Sequence, residues 1–409
     1  MDFEYNYSEE QTKFRSEVRN WLDANIPSEI DGVEEYSSMD DDLWNHFQLV
    51  RKRLGDKGWL APSEIPEYGG LGMHTDNILV LVEELGERGL HWLLEGGTAS
   101  LRTAIHTHGD QDQKNTFLKS MAVGELIIWH PSLEPGVSMD RNDSVVRAYL
   151  DGDDYVLTGS DTFTGPGPHP DYIWVLASTD PEGSQEYSAS FLIPSKSEGI
   201  GLEKRDSLVR DEGHTVTFDD VWVPSSCLIG DEGDGWNLMQ STLFSYSSSS
   251  YPISRDRDVS DLIKYASETN RYGEALIKQT FFQQLLMEVY TNSELIRILK
   301  TRNNWMSETG QEITYESAQV ALLEKKAALR LSQVVRDIMG MYALLDGNDK
   351  SSSFKGKFNM QQKRSVLAQN STPGPEIQSE AIANQLGLGI RSKSEDYANT
   401  DEKNTGINL

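Results

Sequence analysis

Few residues in this chain carry chemistry of their own, and they are scattered. There are eight histidines and one cysteine. Cys227 stands alone, so it can form neither an internal disulfide nor a cysteine-type zinc site; its ordinary role is that of a small, partly buried hydrophobe. His106 and His108 lie two apart on a stretch that reads as helix, and residues so spaced point away from each other, which argues against a metal pair. His169 sits in a loop rich in Pro and Gly (GPGPHPD) and reads as an exposed bystander. No GxxxxGK[ST] loop, no GxGxxG after a strand, no GxSxG elbow and no HExxH occurs. No metal is expected, and any active site must be assembled from distant segments.

The elements that would do the assembling fall into three blocks. In the first, Phe14, Val18, Trp21 and Leu22 form one helical stripe that stops before Pro27, and Leu43, Phe47, Val50 and Leu54 form a second. Residues 61–72 (APSEIPEYGGLG) read as a loop, and helices are expected near 75–89, 98–108 and 110–122. After Gly124 the texture changes to short β-rich runs: LIIWH, SVVRAYL, YVLTG, YIWVLAST, SASFLIP and HTVTFDDVWVP. Turn residues such as Asp151-Gly152 and Pro181-Glu182-Gly183 separate them. Five to seven strands over such a length imply a small sandwich or barrel. Helical periodicity returns after Gly235, with one long helix around residues 285–299 and another over 318–341. The expected fold class is α+β: an N-terminal all-α domain (1–124), a central β-sandwich or barrel domain (125–233), a C-terminal helical-bundle domain (234–392) and a polar tail (393–409).

Composition narrows the function classes. The 409 residues include 37 Lys plus Arg against 65 Asp plus Glu, a formal net charge of −28. Such a surface repels nucleic-acid phosphates. No run of about 18 apolar residues is present, so no membrane span is expected. The acidic N-terminus, MDFEYNYSEEQ, lacks the basic and apolar regions of a signal peptide, which makes the cytoplasm the expected location.

Eight short words, in order, resemble the acyl-CoA dehydrogenase family over residues 8–392. They are GWLAP then PEYGGLG (58–72), Glu83-Glu84-Leu85, HGDQDQK then Phe117-Leu118, Glu134-Pro135-Gly136 before Asp140, DGD then YVLTG (151–159), FDDVWVP (218–224), Gly230 to Gly233 before Gly235-Trp236, and Glu376-Ile377-Gln378 before Leu386-Gly387-Leu388. The resemblance implies a helical domain, a central β domain and a C-terminal four-helix bundle, with FAD between the last two. It implies α,β-dehydrogenation of an acyl-CoA thioester, as in fatty-acid β-oxidation: a Glu base takes the α-proton, hydride goes to flavin N5, and the electrons pass to an electron-transferring flavoprotein. A homo- or hetero-oligomer, dimer or tetramer, goes with it.

Carried onto this chain, the resemblance assigns cofactor binding to Leu133, Glu134, Ser138, Phe163, Thr164, Gly374 and Gln378. Ser138, Met139 and Tyr246 are assigned to substrate binding. The departures are as informative as the matches. At the two places where the family carries its Glu base, this chain has Thr372 and Tyr246. An unperturbed tyrosine, with a pKa of about 10, is a poor base. Leu133 replaces a hydroxyl residue expected near flavin N5, Ser138 and Met139 replace a Gly-Ser pair, and Asp161 replaces a lysine. Phe163-Thr164 keeps an aromatic–hydroxyl pair. Candidates for the missing base are Glu376, Tyr246, and Asp256 or Asp258 after the serine run 247–250. Two readings follow: an acyl-CoA dehydrogenase with a displaced base, or a base-less partner subunit that contributes to flavin binding and assembly.

Overall fold

A computed structural model describes residues 7–27, 30, 41–90, 93–94, 99–131, 146–179, 187–205, 213–236, 238–239, 256–311, 313–347, 349–370 and 375–388. Five helical segments come first: α1 (Glu9–Asn25), α2 (Asp41–Asp56), α3 (Thr75–Glu87), α4 (Ala99–His108), and a last helix that begins as α5 (Gln111–Gln113), passes through a π-helical turn (Lys114–Leu118) and ends as α6 (Lys119–Ala122). Local sequence explains the helix starts. Ser8 with Gln11 and Asp110 with Gln113 are reciprocal capping boxes, each satisfying two backbone N–H groups that a helix start would leave unpaired.

The Glu83-Glu84-Leu85 word has a structural reason. α3 packs on α1, and there Arg15 reaches Glu83 at 2.6 Å and Glu84 at 3.0 Å, while Arg19 meets Glu84 at 2.9 Å. The Tyr7 hydroxyl also donates to Glu83; burial, then that carboxylate, push its pKa up to about 12. The stripe read from the sequence is the buried one: Val18 and Leu22 are sealed, and Phe14 and Trp21 lie edge-on against Trp59.

Eight strands then form one hydrogen-bonded sheet: β1 (Ile128–Pro131), β2 (Val146–Asp151), β3 (Asp154–Thr164), β4 (Tyr172–Ser178), β5 (Ser188–Pro194), β6 (Ile200–Lys204), β7 (His214–Val223) and β8 (Leu228–Ile229). Their order is β6-β7-β3-β1-β4-β5-β8, with β2 also paired to β3 and β4. The six runs seen in the sequence are all strands. β6 and β8 are additional: β6 is largely exposed and shows no apolar alternation, and β8 is two residues long. One core runs from α1, α2 and α3 into the sheet, joining Val18, Phe47, Leu54, Ile78 and Leu81 to Trp129, Phe163, Val175, Phe191 and Phe218. Each such side chain contributes about 1.5–3 kcal/mol on burial.

The last block holds α7 (Arg257–Glu268), a small hairpin of β9 (Asn270–Arg271) and β10 (Glu274–Ala275), then α8 (Thr280–Glu308), α9 (Glu316–Met339), α10 (Lys357–Asn370) and α11 (Pro375–Gln385). α9 is the central helix and packs on α8, α10 and α11. The architecture is mixed α+β, with helical ends and a central β-sheet unit. Among the described residues, no helix is long and apolar enough to cross a membrane.

Candidate active site

β1 and β2 occupy the same lane of the sheet. Both run antiparallel to β3 and parallel to β4. β1 fills one end, with His130 opposite Thr164 and Pro131 opposite Phe163; β2 resumes farther along, with Val146 opposite Gly159. The central lane is thus interrupted beside residues 160–162 of β3, and the connection that leaves and re-enters there is residues 132–145. Four residues that the sequence assigned to the site, Leu133, Glu134, Ser138 and Met139, fall in that connection. Leu133, Glu134, Ser138, Met139 and Asp140 themselves lie outside the described residues, as do Tyr246, Thr372 and Gly374.

The Phe163-Thr164 pair is split by strand alternation, which sends successive side chains to opposite faces. Phe163 is 1% exposed and meets Phe218 edge-on in the main core. On that same face Trp129 stacks on His214 at 4.1 Å and donates from Nε1 to the Pro166 carbonyl at 3.3 Å. Gly165 keeps this packing possible, since a Cβ there would lie 2.3 Å from Trp129 Cδ1. Thr164 projects to the other face, shared with Ile128 and His130. That face is covered by a second cluster, in which Ile128, Trp174 and Leu192 meet Leu101 and Ile105 of α4 and Leu238 and Met239 at the entry to the C-terminal block.

Gly235-Trp236 makes that entry. The Trp236 N–H donates to Ser188 Oγ at 2.8 Å, and a Cβ on Gly235 would stand 2.7 Å from the Ala189 backbone. Only glycine allows the chain to lie this close to β5. The "GW" word is therefore a docking joint between the β unit and the helices.

At the far side, the first turn of α11 carries Glu376, which is exposed, and Gln378, which is 4% exposed. Glu376 acts on Lys325 of α9, where burial lowers the lysine pKa and the carboxylate raises it. Gln378 Oε1 is sealed without a hydrogen-bond partner.

Asp256 stands elsewhere, capping α7. Its side chain accepts from the Asp258 N–H at 2.9 Å, and its own N–H donates to Ser293 Oγ at 3.3 Å. Burial and the neighbouring Asp258 push its carboxyl up to about 7. Lys357 ties Asp258 at 2.9 Å and Asp261 at 2.8 Å.

His106, His108 and His169 fall away from this region. His106 pairs with the buried Glu64 at 2.9 Å beneath Tyr68, His108 lies beside Gly230, and His169 is exposed. No metal-holding cluster is found among the described residues.

The FAD that the resemblance implies can be tested against these side chains. A hydroxyl on the face beside the broken lane, and a sealed carbonyl oxygen on α11 awaiting a donor, are the kinds of group a flat ring with polar edges and a ribityl diphosphate tail engage. To that extent the residues fit the cofactor. Sequence reasoning missed His130. Its one signal was its place as the last residue of LIIWH, directly before Pro131 and the departing loop.

Comparison with known proteins agrees with this architecture. The family model for the acyl-CoA dehydrogenase N-terminal domain matches residues 8–125. Acyl-CoA dehydrogenase FadE26 of Mycobacterium tuberculosis is 24% identical over 404 residues, covering 94% of this chain and 98% of that protein. The short-chain-specific acyl-CoA dehydrogenase of Clostridium acetobutylicum is 25% identical over 356 residues, covering 84% and 90%. Among solved structures, a chain of the ChsE4-ChsE5 complex from Mycobacterium tuberculosis superposes with a TM-score of 0.78 at 22% identity, over 95% of this chain and all of that one. Domain order and motif order agree with these likenesses: residues 8–125 match the acyl-CoA dehydrogenase N-terminal domain, and along nearly its whole length the chain is similar to acyl-CoA dehydrogenases.

Proposed function

We propose that this chain binds FAD at the broken lane of the sheet and takes part in the α,β-dehydrogenation of an acyl-CoA thioester. The observation that carries the reading is the position of Thr164 at the end of the interrupted lane, on the sheet face that α4 and Leu238-Met239 cover. FAD, when bound, supplies the hydride acceptor. The chain's residues do the rest. Thr164 Oγ1 offers a hydrogen bond to the ring edge. By the resemblance, Glu134, Ser138 and Gly374 would hold the cofactor, Gln378 would accept a donor from it or from a bound water, and Ser138, Met139 and Tyr246 would contact the thioester. Electrons leave to an electron-transferring flavoprotein, and the setting is a cytoplasmic lipid-oxidation step.

A second reading, that the chain is a base-less subunit of a heteromeric dehydrogenase, is favoured by a specific observation. Glu376, the nearest carboxylate to the usual site, is exposed in the isolated chain, whereas a base for a weakly acidic α-proton needs a dry pocket. Asp256 has the raised pKa of a base but is engaged in capping α7. The likeness to a chain of a two-protein complex supports this reading. So does the bundle surface: Phe281, Met287, Leu295 and Ile298 of α8 are all more than 40% exposed and fall within an arc of roughly 120° at 100° per residue. An oligomer would cover that stripe.

The test is anaerobic mixing of the FAD-loaded chain with a series of saturated acyl-CoA thioesters while the visible flavin band is followed. Bleaching by the chain alone, abolished in Glu376→Gln, supports the self-sufficient enzyme. Bleaching only after co-expression with a related chain that carries the Glu base supports the subunit. A chain that takes up no FAD sinks both.

A further inference from the structure

We propose that His130 is a positioning residue for the flavin, its Nε2 accepting a hydrogen bond from the isoalloxazine N3–H. The inference rests on the FAD reading above and adds to it a contact made by this chain's own side chain.

Three observations carry it. First, the register of β1 on β3 puts His130 directly opposite Thr164, on the same face and at the last pairs before the lane breaks. Second, the tautomer is set. His130 Nδ1 lies 3.1 Å from the Pro131 carbonyl oxygen, and a carbonyl only accepts, so Nδ1 carries the proton and Nε2 presents a lone pair. Third, the residue is only partly buried and keeps some of its surface accessible. The protein around the ring desolvates it and pulls its pKa below the usual 6.5, which favours the neutral imidazole.

A neutral, partly buried acceptor calls for a donor. The oxidised isoalloxazine ring has one N–H, at N3; its N1, N5 and carbonyl oxygens all accept. The Thr164 hydroxyl can serve one of those acceptors while His130 serves the one donor. Two neighbouring groups of opposite sense thus match the ring edge and fix its orientation, a role that a hydrophobic residue at position 130 could not fill.

The experiment uses the full chain, stripped of flavin and titrated with FAD and with FAD methylated at N3. The wild type is expected to bind FAD and to discriminate strongly against the N3-methyl form. His130→Ala should bind FAD about tenfold more weakly, about 1.4 kcal/mol, and lose most of that discrimination. His130→Gln, whose amide oxygen reaches about as far as Nε2, should recover both. If the alanine variant does not fold, His130→Phe against His130→Gln makes the same comparison at constant bulk. A wild type that binds FAD, with a variant that binds it equally well or keeps the wild-type discrimination, overturns the role of His130 and leaves the FAD reading standing. A wild type that binds no FAD overturns both.

Discussion

Between the N-terminal helices and the sheet, the sealed positions are Trp129, Phe163, Phe191, Phe47 and Leu54, none more than 1% exposed. In the half of the bundle built from residues 300–328 and 361–378, the buried positions include Lys300, Asn303, Lys325, Gln361 and Gln378, all at or below 8% exposed. The other half of the same bundle is apolar, with Leu262, Leu286, Val335, Ile338 and Phe358 in contact. Polar burial is therefore not a general property of these helices. Among the described residues of the bundle it is densest toward the end that includes Gln378, with Ser332 a buried exception in the apolar half. Lys300 is answered by Glu324 and Gln361 Nε2 by the Ala328 carbonyl, but Gln361 Oε1, Gln378 Oε1 and Asn304 Nδ2 are sealed without partners. Unpaired buried polar groups cost free energy. The proposed cofactor site would draw on that end through Gln378. The apolar core beneath the sheet is the scaffold; the polar seam is the end that the proposed cofactor contact would use.

Replacing residues of each kind should separate the two regions. The largest effect belongs to the scaffold. Trp129→Ala removes a fully buried ring from its stack on His214 and should cost about 4 kcal/mol in chemical denaturation; a loss below 1 kcal/mol would mean that the sheet does not depend on this core. Next is Glu84→Gln, which leaves Arg15 and Arg19 without their shared buried partner and should cost about 3 kcal/mol.

Asp256 gives a pH-dependent test on the helical side. Its folded pKa is pushed up to about 7 by burial and Asp258, above the ~3.9 of an unfolded aspartate. The folded chain then holds this proton more tightly than the unfolded chain, so stability falls as pH rises from about 4 to about 7 and is flat beyond. Asp256→Asn keeps a capping oxygen and cannot ionise. Its melting temperature relative to wild type should climb by a few degrees across that window; a flat difference would show that Lys357 keeps the carboxylate charged.

The smallest effect sharpens the comparison most. Gln378→Met removes an unpaired buried carbonyl at nearly constant volume and should leave stability unchanged or raise it by up to about 1 kcal/mol, while weakening FAD uptake. If stability instead falls as far as it does for Trp129→Ala, the seam is a scaffold too.

Much of this was legible in the chain itself. Apolar spacing gave the N-terminal stripe, the two long C-terminal helices and six of the eight strands, because buried faces impose periods of 3.6 and 2 on the side chains. β6, β8 and the β9–β10 hairpin were not, since short or exposed strands carry no such period. The site was legible only in part. Motif order pointed to Thr164, Gln378 and the 132–145 loop, but not to the reasons. Glu83-Glu84 proved to be a clamp for two arginines, and Phe163 and Thr164, adjacent in sequence, face opposite sides.

The amino-acid order by itself determined the long helices, six of the strands and the order of helical, β and helical blocks. Tertiary structure alone decided that β1 and β2 share one interrupted lane, that His130 stands opposite Thr164 with Nδ1 turned to the Pro131 carbonyl, and that Gln378 is sealed while Glu376 is not. The reason is physical. Local periodicity reports how a residue meets its own element, whereas register across strands and burial between helices depend on contacts far apart along the chain.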